Sequence, residues 1–162
     1  MSIKAIVLDL AGVLLVWRKS SRVVGEASLI ELHQIRHHPV RHDFEAGRIG
    51  EESLYSQLSS ETNFSRDVLE RVLNNAFQTS RVNEPVYDFA KAQKYGSGRR
   101  VICLSNTPHC YIGRLFKKLD IWNVFDRIYM SSLLGMAKPD QRVFRHLLNQ
   151  ENLRPEEVFS GR

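Results

Sequence analysis

Four short apolar runs, separated by stretches of helical periodicity, set the plan of this chain. They are Lys4-Ala-Ile-Val-Leu-Asp-Leu10, Arg100-Val-Ile-Cys-Leu104, Phe125 to Ser131, and the start of a fourth at Pro155-Glu-Glu-Val-Phe159. A continuous apolar run predicts a strand buried on both faces, hence a parallel sheet. From about Arg18 to Tyr95 the pattern is helical. Leu29, Ile30, Leu32 and Ile35 recur until Pro39. Leu54, Tyr55 and Leu58, beside Ser53, predict a second helix. Val68, Leu69, Val72, Leu73 and Phe77 predict a third with Ser65 as its N-cap. Glu84-Pro85 opens a fourth, carrying Val86, Phe89 and Ala90, and Gly96-Ser-Gly98 breaks it. Further helices carry Ile112, Leu115, Phe116 and Leu119, then Val143, Phe144, Leu147 and Leu148.

Alternating β and α segments predict an α/β fold, a Rossmann-like parallel core with right-handed crossovers. A connection of about 80 residues with helices of its own is an inserted subdomain rather than a loop. The division is residues 1–16 and 98–162 for the core and 17–97 for a helical cap. Active residues then belong just past the carboxyl ends of the strands. Asp9, Ser105-Asn106 and Lys138 fall there.

The 162 residues are 43% hydrophobic and 25% charged, an ordinary globular composition that excludes a fibrous rod or a disulfide scaffold. The longest apolar stretch, Ala5 to Trp17, carries Asp9 and is too short for a membrane span. No small-x-small cleavage site follows it, which argues against a secretory signal. The net charge of +5 is spread along the chain. It favours small anions such as phosphates, and no dense basic block points to nucleic acid. Cys103 and Cys110 read as buried or half-buried thiols in a reducing cytoplasm.

The three strand-end features carry related chemistry. A carboxylate at Asp9 can attack phosphorus or carbon and form a covalent intermediate. Ser105 and Asn106, a hydroxyl and backbone N–H groups before a helix, make an anion cradle. Lys138, in Gly135-Met-Ala-Lys-Pro-Asp140, can pair with Asp9 and neutralise a transferring phosphoryl group. Alone, each would pass as a turn or cap residue.

Together, Val7-Leu-Asp-Leu-Ala-Gly-Val13, Cys103-Leu-Ser-Asn106 and Gly135-Met-Ala-Lys-Pro-Asp140 resemble the first three motifs of the haloacid dehalogenase-like hydrolase superfamily. Asp43-Phe-Glu-Ala-Gly-Arg-Ile-Gly-Glu-Glu-Ser53 resembles a cap stretch of its helical-cap subfamily, which includes sugar-phosphate phosphatases and the phosphatase domain of epoxide hydrolases. The resemblance implies Asp9 as nucleophile and Mg²⁺ ligand, with the backbone carbonyl of Ala11 as a second ligand. Ser105 and Asn106 would hold the phosphoryl group and Lys138 would stabilise it. Mg²⁺ would neutralise charge and orient a small-molecule phosphate.

Two departures qualify that expectation. The usual phosphatase has an aspartate two residues after the nucleophile, as general acid and base. Here Ala11 stands there, and losing such a group costs on the order of 10²- to 10⁴-fold. The family's fourth motif is acidic and follows a last strand. Here Ser160-Gly161-Arg162 follows Pro155-Glu-Glu-Val-Phe159. The core therefore reads as truncated, and the chain is expected to be weakly active or inactive. Glu156 and Glu157 read as surface residues.

The alternative is a degenerate domain kept as scaffold or for binding a phosphate or diphosphate, as in epoxide-hydrolase or terpene-cyclase fusions. A phosphonoacetaldehyde hydrolase would need a cap lysine, and none occurs between Lys19 and Lys91. A 2-haloacid dehalogenase usually carries an aromatic where Ala11 stands. His33, His37, His38 and His42 include i, i+4 pairs, but Pro39 interrupts them and a solvated basic face accounts for them. Trp17 and His109 are candidate pocket residues.

Overall fold

In a computed structural model, residues 2–17, 35 and 37–161 are described. The predicted helix through Leu29, Ile30 and Leu32 lies outside them, and of its quoted positions only Ile35, which is helical, is described. Four strands form one parallel sheet: β1 (Ala5–Leu8), β4 (Arg100–Ser105), β5 (Arg127–Met130) and β6 (Val158–Gly161), in the order β5-β4-β1-β6. Ala5 is level with Arg100 on one side and Val158 on the other. The two-residue period of the strands divides the core. Ile6, Leu8, Val101 and Cys103 pack on one face, with Ala90, Leu115 and Val124. Ala5, Val7, Ile102 and Leu104 pack on the other, with Val143 and Leu147. Both faces are covered, as a parallel sheet requires.

The helices follow the predicted periodicity. Glu51–Glu61 buries Leu54, Tyr55 and Leu58. These join Val40, Phe44 and Leu69 in a separate apolar cluster. Ser65 occupies the N-cap of helix Arg66–Thr79, though its side chain makes no capping bond. Glu84–Lys91 lays Ala90 against the central sheet, with Val86 and Tyr87 half-buried beside it. His109–Lys118 and Gln141–Glu151 bury Leu115 and, respectively, Val143 and Leu147. Phe89, Phe116 and Phe144 are instead exposed, and Phe116 stacks on Trp122 with ring centroids 4.2 Å apart. Among the described residues, no helix is long and apolar enough to cross a membrane.

Three details differ from the sequence reading. β2 (Leu15–Trp17) and β3 (Ser80–Val82) form an antiparallel ribbon where the chain leaves the sheet and returns to it. Strands of three residues are too short to impose a readable period. The predicted strand at Pro155 begins later, because Pro155–Glu157 is a 3₁₀ turn and β6 starts at Val158. Glu157 is not a surface residue. It is 4% exposed, 2.7 Å from Lys4 Nζ, and accepts from the Arg154 backbone and guanidinium. These partners hold its carboxyl down to about 2.

Candidate active site

The carboxyl ends of the parallel strands bring the three motifs together. Asp9 follows β1, Ser105 ends β4, and Lys138 lies in the loop before helix Gln141–Glu151. Lys138 Nζ sits 2.7 Å from Asp9 Oδ2 and donates to the Leu104 carbonyl at 2.8 Å. Asp9 Oδ1 accepts from the Leu10 backbone N–H at 2.7 Å. Both side chains keep some exposure, 27% for Asp9 and 21% for Lys138, so an incoming anion can reach the pair.

Asn106 sets the lysine in place. Its Oδ1 accepts from the Lys138 backbone N–H at 2.8 Å, and its Nδ2 donates to the Lys138 carbonyl at 2.9 Å. The same Nδ2 donates to Glu45 Oε2 at 3.1 Å. The Asn106 side chain is thus committed to neighbouring residues. Ser105 is buried, and its Oγ accepts from Thr107 Oγ1 at 3.0 Å. The Thr107 backbone N–H donates to Ser131 Oγ at 2.9 Å, and Ser131 Oγ donates to the Glu45 carbonyl.

Glu45 reaches this network because its segment is built to approach the sheet closely. Helix Val40–Glu45 ends with Gly47 N–H bonded to the Phe44 carbonyl and Arg48 N–H to the Asp43 carbonyl. That closure needs a left-handed residue, supplied by Gly47 at φ +73°. A Cβ there would stand 2.7 Å from the Ser132 carbonyl oxygen. Arg41 pairs with Glu45 at 3.1 Å.

Beside the motifs opens a cleft of about 330 Å³. Ala11, Ser105, Asn106, Thr107, Arg41 and Glu45 line its polar part. Apart from Ser80, the rest is mainly apolar and includes Leu10, Leu15, Phe44, Leu73, Phe77 and Tyr111. Tyr111 stacks on Phe77 with centroids 5.7 Å apart, and burial pushes its hydroxyl up to about 12. His109 is exposed and is not part of the cleft lining. Trp17 is the last residue of β2, and its side chain lies outside the described residues. His38 pairs with Glu61 at 3.1 Å, His33 is outside the described residues, and no group of three metal-type side chains occurs among them. Both cysteines are free.

Sequence reading missed Arg41, Glu45, Thr107 and Ser131. Glu45 lies inside the quoted cap stretch and Thr107 two residues past Ser105. The roles of Glu45, Thr107 and Ser131 depend on contacts across 24 to 86 positions of chain, and Arg41 joins them through Glu45, four positions on.

The sequence profile of the haloacid dehalogenase-like hydrolases matches residues 3–159. The chain belongs to that family. Among similar curated proteins is a sesquiterpene phosphatase of Aspergillus oryzae, 29% identical over 91% of this chain and 74% of its own length. A drimenol cyclase of Aspergillus calidoustus is 27% identical over 96% of this chain but only 30% of its own. Solved structures of haloacid dehalogenase-like proteins share the fold. One is a Bacteroides thetaiotaomicron enzyme in complex with magnesium and inorganic phosphate, with TM-score 0.70, 20% identity, and coverage of 98% and 84% of the two chains. A predicted hydrolase from Porphyromonas gingivalis gives TM-score 0.71 at 22% identity, covering 99% and 82%.

For a haloacid dehalogenase-like chain, the oxygen donors on hand are of the kind Mg²⁺ takes. Mg²⁺ is commonly held by one or two carboxylates, waters and substrate phosphate. Asp9 supplies a carboxylate at the strand end, and Ala11, exposed at the cleft, supplies backbone.

Proposed function

We propose that this chain hydrolyses a small-molecule phosphomonoester through an aspartyl-phosphate on Asp9. The observation that carries the reading is the 2.7 Å Asp9–Lys138 pair, next in the chain to Leu10 and Ala11, which line a cleft together with Ser105 and Asn106. Asp9 attacks phosphorus, the P–O bond to the alcohol breaks with the leaving oxygen taking a proton from water, and a water molecule then cleaves the aspartyl-phosphate to inorganic phosphate and the free Asp9 carboxylate. Lys138 balances charge on the transferring group. Ser105 and the Asn106 backbone N–H hold the phosphoryl oxygens, and the Asn106 side chain positions Lys138. Mg²⁺, held by Asp9 and the Ala11 carbonyl, would supply further charge neutralisation. The helical block between β1 and β4 acts as the cap that covers the site. The sesquiterpene phosphatase relative supports the phosphatase reading.

Turnover by this chain is expected to be slow, because Ala11 cannot exchange a proton with the leaving group. That feature also favours a second reading, a domain that binds a phosphate or diphosphate without turning it over, and the match to a cyclase over 30% of that protein's length accords with it. Phosphate release from p-nitrophenyl phosphate, with and without Mg²⁺, separates the two. Mg²⁺-dependent release abolished by Asp9→Asn supports hydrolysis. No release, with a phosphate-induced rise in Tm, supports the binding domain.

A further inference from the structure

The cleft is far less polar than a site for a sugar phosphate needs. A polyol placed against apolar walls leaves its hydroxyls unpaired, at a large cost in binding. Here the polar lining is largely engaged within the protein: Arg41 donates to Glu45 at 3.1 Å, Asn106 to Glu45 and the Lys138 carbonyl, Thr107 to Ser105, and Ser80 to the Phe77 carbonyl. The opposite walls are two helices. Arg66–Thr79 contributes Val72, Leu73 and Phe77, and His109–Lys118 contributes Tyr111 and Leu115. The walls are firmly set. The Phe77 ring stacks on Tyr111 and has the Arg114 guanidinium 4.7 Å and the Lys118 ammonium 4.9 Å from its centroid. Lys118 also bonds the Phe77 carbonyl and Ser80 Oγ, tying the end of one helix to the other.

We propose that this chamber holds the organic part of the substrate, an apolar body of about ten carbons, with its phosphate at Asp9 and Lys138. Leu73, Phe77 and Tyr111 set the length accepted. The inference rests on the phosphatase reading above and names its substrate class, an amphiphilic alkyl or alkenyl phosphate. The size follows from the volume: at about 30 Å³ for each water-sized group, 330 Å³ takes roughly ten.

The test is a series of n-alkyl phosphates from ethyl to dodecyl, each below its critical micelle concentration, given to the full chain with Mg²⁺. Phosphate release and Tm are both read. The expected kcat/KM rises by up to about fourfold per methylene and levels off near ten carbons. Leu73→Trp moves the levelling point to shorter chains and lowers the decyl-to-ethyl ratio about tenfold. Tyr111→Ala moves it to longer chains, a second readout should the tryptophan variant fail to fold. Turnover with a flat chain-length profile overturns the chamber and leaves the phosphatase reading standing. Absent turnover, a Tm that rises with chain length supports the chamber and defeats hydrolysis. Neither turnover nor a length-dependent Tm overturns both.

Discussion

Lys138 and Asp9 form an ion pair, Nζ to Oδ2 at 2.7 Å, across 129 positions of chain between the ends of two different elements. The pair is partly exposed, and such pairs contribute about 0–1 kcal/mol to stability. On the proposed phosphatase reading, the pair places positive charge in advance where phosphoryl charge develops. Lys138→Met is therefore expected to lower phosphatase turnover by about 10²- to 10³-fold. Tm should change little. A large fall in Tm with unchanged turnover would make the lysine a structural residue.

Gly47 closes helix Val40–Glu45 and brings Glu45 to Asn106. Gly47→Ala forces an alanine into the left-handed region, a cost of about 1–2 kcal/mol, and drives its Cβ against the Ser132 carbonyl. Urea unfolding should show a loss at or above that range. Gly113→Ala, inside helix His109–Lys118 where a Cβ meets nothing within 4 Å, is the control with no loss of stability.

Glu157 gives the stability a defined acid limb. Lys4 and Arg154 hold its carboxyl at about 2, below the ordinary 4.5. Between these values the folded chain binds fewer protons at this site than the unfolded chain, so stability rises with pH. The contribution is complete above about 4.5 and is lost as pH falls through about 2. Glu157→Gln should flatten the dependence of Tm on pH in that window. An unchanged slope would show that other carboxylates govern it.

The two thiols should differ in reactivity. Burial and then Asp9 push Cys103 up, and burial and then Glu51 push Cys110 up to about 11. At pH 8, a thiol at that value carries about a hundredfold less thiolate than an unperturbed one. A disulfide reagent should modify native Cys110 slowly and Cys103 only after unfolding. Fast modification of two thiols in the native chain would contradict the packing of β4.

The fold was legible from residues whose burial is dictated locally. In β1 and β4 every second residue faces one helical layer, so both faces demand apolar side chains and the runs Ala5–Leu8 and Val101–Leu104 stand out. Leu54 and Leu58, or Val143 and Leu147, lie four apart because one helix face must be dry. Asp9 and Ser105 were readable because a parallel sheet places the ends of its strands together, whereas Lys138, in the loop before helix Gln141–Glu151 rather than at a strand end, was readable from its Lys-Pro-Asp motif. The ribbon of β2 and β3 escaped notice because three residues carry no period. Glu157 was misplaced because charge pairing across the sheet edge, with Lys4, leaves no local signal.

What the sequence determined by itself is the α/β plan and the meeting of three motifs at the carboxyl end of the sheet. Hydrophobic period and strand direction are enough for that. Only the tertiary structure decided that Asn106 serves Lys138, that Glu45 arrives from the helical block, and that Leu73, Phe77 and Tyr111 face the motif end of β4 across an apolar cleft. Those relations depend on how the helices pack over the sheet, on the left-handed turn at Gly47, and on hydrogen bonds between residues 32 to 86 positions apart. No spacing rule encodes such distances, because they are fixed by three-dimensional packing rather than by neighbours in the chain.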